Sequence, residues 1–215
     1  NEIAITVGNG WYKGILGFTC EPNRYGTQAG VFAELHVEYE DGNKDVIATD
    51  ETWSVKTGEI RYSEIYMGVT IDTDSPEITE GNVVVKDFDK AVLTAQENEP
   101  VRITEKIVGK ELIVTPKGEK IVDFGQIVTG VVEVHVKGEK GQKIVLRHAE
   151  VLDKDGNFYP ETLRQAKSID TFICNGEEQI FRPHFTFHGF RYISVEGMEE
   201  FTADQFFACV THSDM

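Results

Sequence analysis

The chain has 215 residues, of which 40% are hydrophobic and 10% aromatic, enough apolar material to build folded cores and to exclude a disordered protein. It carries 21 Lys and Arg residues against 37 Asp and Glu residues, a formal charge of −16. Such an acidic protein repels polyanions, so neither nucleic acid nor an anionic membrane is an expected partner. Because domains centre near ~100 to 150 residues, the length predicts two of them.

The cysteines predict a reduced protein. Cys20, Cys174 and Cys209 are odd in number, widely spaced and without a CxxC pair, which excludes a metal ribbon or a disulfide framework. One bridge remains open, but three buried thiols and a cytosolic origin are the favoured interpretation. No apolar run approaches the ~18 residues of a membrane helix.

Alternation with a period of two begins with the first residues and predicts strands. Residues 1–7 have no initiator Met and alternate as though upstream strands had been removed, so we expect a fragment boundary and an unpaired sheet edge there. Residues 33–39 alternate apolar and charged side chains, and Asp41 and Gly42 then turn the chain into residues 45–48. This pattern predicts a hairpin.

Further strands are predicted along the chain, with Gly or Pro in nearly every gap. They cover residues 101–104, 112–115, 120–124, 131–136, 143–146, 171–174, 185–195 and 206–210. Residues 87–100 have the weakest strand signal, and residues 161–167 could form one or two helical turns. We therefore predict two antiparallel β-sandwiches, divided into residues 1–93 and 94–215.

The histidines and carboxylates predict no metal site, no cofactor and no catalytic residue. Residues 153–157 fail the calcium-loop pattern because the glycine is at the fourth position rather than the sixth. His184 and His188 lie in a predicted strand, where four residues span about 13 Å, too far to share an ion. Carboxylates are so abundant in this chain that no pair stands out as a glycosidase acid and base.

The glycine-rich segment of residues 8–14 carries an aromatic pair, Trp11 and Tyr12. Aromatic faces stack on the C–H faces of sugars, and a Trp after a tight turn also serves as core. Trp11 and Tyr12, with Arg24, form the candidate carbohydrate-binding set.

Several motifs, taken together and in order, resemble bacterial α-L-rhamnosidases. The first half is similar to the N-terminal sandwich of that family, and the second half to its lectin-like sandwich. The motifs are residues 8–14 (GNGWYKG), 47–53 (IATDETW), 60–66 (IRYSEIY), 122–126 (VDFGQ), 146–152 (LRHAEVL) and 185–192 (FTFHGFRY).

This resemblance implies a partial jelly-roll-like domain followed by a lectin-like sandwich. It implies a parent glycoside hydrolase that removes terminal α-L-rhamnose with inversion on an (α/α) barrel, which would follow the end of this chain. The acid and base of that family would then lie outside this sequence, and the chain alone would be inactive. Its expected roles are to brace the barrel and to contact a rhamnoside. Independently of the resemblance, the unpaired edge predicts that the first domain either self-associates or unfolds locally when dilute.

Two other interpretations remain. One is a free-standing carbohydrate-binding module that uses Trp11, Tyr12 and Arg24, which measured sugar binding by the isolated chain would favour. The other is a structural or adhesive repeat.

Overall fold

The structure is a computed structural model that describes residues 2–214 and is almost wholly β. Its strands, in chain order, are β1 (Glu34–Glu38), β2 (Lys44–Ala48), β3 (Ser54–Lys56), β4 (Ile60–Glu64), β5 (Gly68–Asp72), β6 (Glu80–Asn82), β7 (Val101–Val108), β8 (Glu111–Val114), β9 (Lys120–Lys137), β10 (Lys143–Ala149), β11 (Val151–Leu152), β12 (Phe158–Tyr159), β13 (Ile169–Ile173), β14 (Glu178–Phe181), β15 (His188–Glu196) and β16 (Phe206–Ser213). The helices are α1 (Gly10–Lys13) and single 3₁₀ turns at Lys90–Val92, Glu161–Leu163 and Ala203–Gln205. No helix within residues 2–214 is long and apolar enough to span a membrane.

The first hairpin confirms the alternation seen in the sequence. β1 and β2 pair antiparallel from Glu34 opposite Ala48 to Glu38 opposite Lys44. Gly42 has φ of 84°, a left-handed conformation that glycine adopts without steric cost. The Asp41 carboxylate accepts a hydrogen bond from the Asn43 amide at 3.0 Å. The turn residues therefore set the register of this hairpin.

One ten-stranded sheet organises the rest of the molecule. Its order is β4-β5-β13-β10-β15-β9-β16-β7, and β8 and β14 also pair with β9. The 18-residue strand β9 pairs first with β8 and β15 and later with β14 and β16, so the sheet curls around it. The sequence predicted β9 as two strands, because Gly125 and Gly130 interrupt the alternation.

The fold is the all-β, two-sandwich arrangement that the sequence predicts, with one departure in strand direction. β5 pairs with β13 in parallel, Thr70 opposite Thr171, whereas only antiparallel pairs were expected. A parallel pair needs a long connection, and about a hundred residues separate these two strands. Period-two alternation is the same for both directions, so the sequence pattern could not have distinguished them.

The main core lies between the layers of the curled sheet. Its fully buried members include Phe172, Phe190 and Phe206. Up to residue 105 the apolar side chains that the structure describes as buried are Met67, Val69 and Ile71, next to or on β5. The apolar residues of the first hairpin are partly exposed instead; Leu35, for example, is 46% exposed.

Two predicted strands differ from the structure. Residues 2–7 carry no strand assignment in the described chain. The predicted strand 185–195 begins at His188, because Phe185 has φ of 61°, which a regular strand does not allow. The separation of about 13 Å expected between His184 and His188 assumed that both residues lie in one strand, and His184 lies outside it.

Two weaker sequence signals were interpreted correctly. The turn at residues 153–157 joins β11 to β12, and Asp153 accepts hydrogen bonds from the Asp155 and Asn157 amides. The expected helical turn is the 3₁₀ turn Glu161–Leu163. The polar segment at residues 83–100 is irregular apart from one 3₁₀ turn, and the domain division at residues 93 and 94 stays a prediction.

Candidate functional site

Three of the motifs meet at one place on the surface, which we call the Trp11 corner: residues 8–14, with Glu64, Tyr66 and Phe185. The Trp11 ring packs on Tyr66 with centroids 4.7 Å apart. A Cβ atom at Gly8 would lie 2.7 Å from the Phe185 ring, so only glycine allows this close approach. The corner therefore joins the start of the chain to the segment before β15.

Glu64, the last residue of β4, fixes the corner. Its side chain is buried and accepts hydrogen bonds from the Asn9 side-chain amide at 3.0 Å and the Ile15 backbone amide at 2.9 Å. A Cβ at Gly14 would lie 2.5 Å from Glu64 Oε2. One buried carboxylate thus satisfies donors at both ends of the glycine-rich segment.

The candidate carbohydrate-binding residues are near one another in the backbone but differ in exposure. Trp11 is half-buried, Tyr12 is 50% exposed and Arg24 is exposed. The Tyr12 carbonyl accepts a hydrogen bond from the Tyr25 amide at 3.2 Å, which brings the Arg24 loop beside α1. Trp11 therefore has the partial burial of a packed residue, and Tyr12 has more free surface for a ligand.

The second half of the chain contains an ion pair between two motifs. Arg191 on β15 donates two hydrogen bonds of 2.8 Å to the Asp123 carboxylate on β9, in bidentate geometry. The Gly125 amide donates a third, at 2.6 Å. Burial alone would raise the pKa of Asp123, but these hydrogen bonds and the Arg191 charge outweigh it and hold that pKa below its usual value.

A cluster of His148, Asp170 and His188 lies buried in the core. His188 Nε2 donates to Asp170 Oδ1 at 3.2 Å, and the Val69 amide donates to the same oxygen at 3.1 Å. His148 Nδ1 lies 2.8 Å from the Ser168 carbonyl. A carbonyl only accepts, so the His148 proton is on Nδ1 and Nε2 carries a free lone pair.

Three buried polar atoms of the cluster have no hydrogen-bond partner: His148 Nε2, Asp170 Oδ2 and His188 Nδ1. The two imidazole rings lie 4.1 Å apart between centroids. Burial and the neighbouring His188 lower the pKa of His148 to about 3, against the opposing effects of Asp170 and the Ser168 carbonyl. His148 is therefore neutral at physiological pH and able to accept.

This cluster was not predicted from the sequence, where the spacing of His188 suggested only His184 as a partner. His148 on β10 is paired with Ile193 on β15, and strict alternation from Ile193 would place His188 on the opposite face. The pairing of β15 with β9 shifts register between Phe190 and Tyr192, and the His148 and His188 rings meet nonetheless. A register shift of this kind leaves no signal in a single sequence.

All three cysteines are free thiols, as predicted. Cys174 and Cys209 are buried, and burial raises the pKa of both thiols. Cys20 is only half-buried, contrary to the expectation of three buried thiols, because its loop at residues 17–21 lies at the surface.

Comparison with known proteins assigns both halves of the chain. Residues 1–105 match the α-L-rhamnosidase N-terminal domain, and residues 113–212 match the bacterial α-L-rhamnosidase concanavalin-like domain. An α-L-rhamnosidase of Streptomyces avermitilis is 35% identical over 209 residues, which make up 92% of this chain but 20% of that protein.

Solved structures agree. The Streptomyces avermitilis enzyme, crystallised with L-rhamnose, superposes with a TM-score of 0.88 at 33% identity over 97% of this chain and 21% of its own. The Aspergillus terreus enzyme gives a TM-score of 0.90 at 34% identity over 97% of this chain and 26% of its own. The chain thus spans about a fifth to a quarter of the relatives it matches. On sequence and fold together, the chain belongs to the α-L-rhamnosidase family and corresponds to its N-terminal and concanavalin-like domains.

Proposed function

We propose that this chain is the non-catalytic β region of an α-L-rhamnosidase, where it braces and orients the catalytic barrel of the parent enzyme. The observation that carries the proposal is that the two family matches occupy nearly all of this chain and only a minor part of each relative. Both matched domains are described as parts of α-L-rhamnosidases, so the accessory role is favoured over a free-standing carbohydrate-binding module.

The exposed apolar surface of the first 105 residues supports a bracing role. Phe18 is 86% exposed, Val84 79%, Val92 70% and Tyr25 64%. Large apolar side chains this exposed are candidates for a protein interface, because leaving apolar surface in water costs ~25 cal/mol per Å². We assign this surface to contact with another part of the parent enzyme.

Catalysis by the isolated chain tests the accessory role. Purified chain is expected to leave an aryl α-L-rhamnoside intact. Turnover that disappears when a carboxylate of this chain is replaced by its amide would overturn the proposal. Turnover unaffected by such replacements would identify a contaminating glycosidase.

Oligomeric state tests the assignment of the apolar surface. With the parent enzyme's other parts missing, the first region should either self-associate or exchange its amide hydrogens faster than the second. Light scattering over a concentration series, with hydrogen exchange on the same samples, measures both. A strictly monomeric chain whose first region exchanges as slowly as its second would contradict the assignment.

We further propose that the Trp11 corner contacts carbohydrate. The Trp11 and Tyr12 rings, with Arg24 nearby, offer stacking surface and a hydrogen-bond donor to a sugar without charge. L-rhamnose titrated by calorimetry into the chain, into Trp11→Ala and into Trp53→Phe should show weaker binding for Trp11→Ala alone. Equal binding by all three folded proteins would remove Trp11 from the proposed site.

A further inference from the structure

The buried cluster of His148, Asp170 and His188 has the composition and spacing of a transition-metal site. One ligand atom from each residue lies within 4.8 Å of the other two. His148 Nε2 is 3.7 Å from Asp170 Oδ2, and His188 Nε2 is 3.2 Å from Asp170 Oδ1. Ligands of a tetrahedral Zn²⁺ with bonds of ~2.0 Å lie about 3.3 Å apart. Each histidine therefore already has Nε2 close to this distance from one carboxylate oxygen of Asp170, Oδ2 for His148 and Oδ1 for His188.

The surroundings of the ligands also fit a metal. His148 donates its Nδ1 proton to the Ser168 carbonyl, which fixes the tautomer and directs the Nε2 lone pair into the cluster; metal-binding histidines are usually held in this way. The Val69 amide donates a hydrogen bond to Asp170 Oδ1, whereas Asp170 Oδ2 has no donor. Orphaned polar atoms in a core need an explanation, and an ion would satisfy two of them.

We propose that His148 Nε2, His188 Nε2 and Asp170 bind one divalent transition-metal ion, with Zn²⁺ the best match to two imidazoles and one carboxylate. Binding requires His188 to move its proton from Nε2 to Nδ1, and no other residue need change protonation. The ion would neutralise the buried Asp170 carboxylate. It would also tie β10, β13 and β15 together beside the β5–β13 junction, which gives it a structural role.

Metal content and Co²⁺ spectroscopy on the full chain test the proposal. Chain expressed with added Zn²⁺ and then desalted should retain about one ion per molecule by mass spectrometry. After chelation, Co²⁺ should produce the visible absorption bands of tetrahedral coordination. Chelation should also lower the melting temperature, and Zn²⁺ should restore it.

Variants locate the ion. The variants Asp170→Asn and His148→Gln should bind Zn²⁺ at least ~10-fold more weakly than the parent chain. The control variant His184→Gln changes an exposed histidine and should bind Zn²⁺ as the parent chain does. Equal binding by all three would place the ion elsewhere and overturn the proposal. If Asp170→Asn and His148→Gln do not fold, the measurements on the parent chain alone test the proposal. Metal far below one equivalent, no Co²⁺ bands and a melting temperature indifferent to chelator would leave only a hydrogen-bonded core cluster.

Discussion

The two regions that the family matches define, residues 1–105 and 113–212, use their apolar residues differently. The second region contains a core of fully buried large side chains, among them Phe172, Phe190 and Phe206, which have no exposed surface. The first region folds its hairpin in the predicted register but leaves Leu35, Val46 and Ile47 between 46% and 56% exposed. Strand pairing alone therefore does not make a core, because a sheet is stabilised when its apolar face is covered.

Paired phenylalanine truncations would test this comparison with the largest expected effect. Phe172 stacks on Phe181 with centroids 4.8 Å apart, whereas Phe18 is 86% exposed. Phe172→Ala should lower the free energy of unfolding by about 3–5 kcal/mol, and Phe18→Ala by no more than ~0.5 kcal/mol. Urea unfolding followed by circular dichroism measures both. Equal losses would show that the first region has a core of its own.

The junction between the regions depends on Gly68. It has φ of 107°, and a Cβ there would lie 2.0 Å from the Ile169 carbonyl oxygen. Gly68→Ala should destabilise the protein by about 2–4 kcal/mol through strain and overlap. The control Gly42→Ala, at φ of 84° with nothing within 4 Å, should cost only the strain, about 1 kcal/mol. If Gly68→Ala destabilises the protein no more than Gly42→Ala does, β5 and β13 move apart readily enough to admit the added methyl group.

The Trp11 corner should loosen when Glu64 is removed. Glu64→Ala leaves the Asn9 side-chain amide and the Ile15 amide without their acceptor, at a cost of about 1–2 kcal/mol. Trp11 fluorescence, measured in a Trp53→Phe background, should shift to longer wavelength as the ring gains water. Glu59→Ala, at an exposed glutamate, is the control. An unchanged Trp11 spectrum in folded Glu64→Ala would show that packing on Tyr66 suffices.

The Asp123–Arg191 pair predicts the smallest effect, a dependence of stability on pH. Because the folded pKa of Asp123 is depressed, the pair stabilises the protein above the unfolded value of about 3.9. That contribution is lost as pH falls through the folded value. We expect less than about 1 kcal/mol, since Arg191 is partly exposed. Asp123→Asn should flatten the acid side of the stability profile, and a profile identical to the parent's would contradict the pairing.

The sequence by itself determined the local structure and the family. Alternation placed nine of the sixteen strands that the structure describes and missed β3 to β6, β11, β12 and β14. Glycine and Asx residues placed the turns, and the combined motifs identified both domains, because these features depend on neighbours along the chain. Glu64 illustrates the limit: nothing in its sequence context shows that it is buried and accepts hydrogen bonds from residues about fifty positions away.

Only the tertiary structure decided which motifs meet. The parallel β5–β13 pair, the convergence of Gly8, Trp11 and Phe185, and the meeting of His148 with His188 all join residues far apart in sequence. Their positions follow from strand order and from a register shift in β9 and β15, and alternation is compatible with many such orders. Strand propensity is a local property, whereas register and strand order are fixed by the free energy of packing the whole sheet.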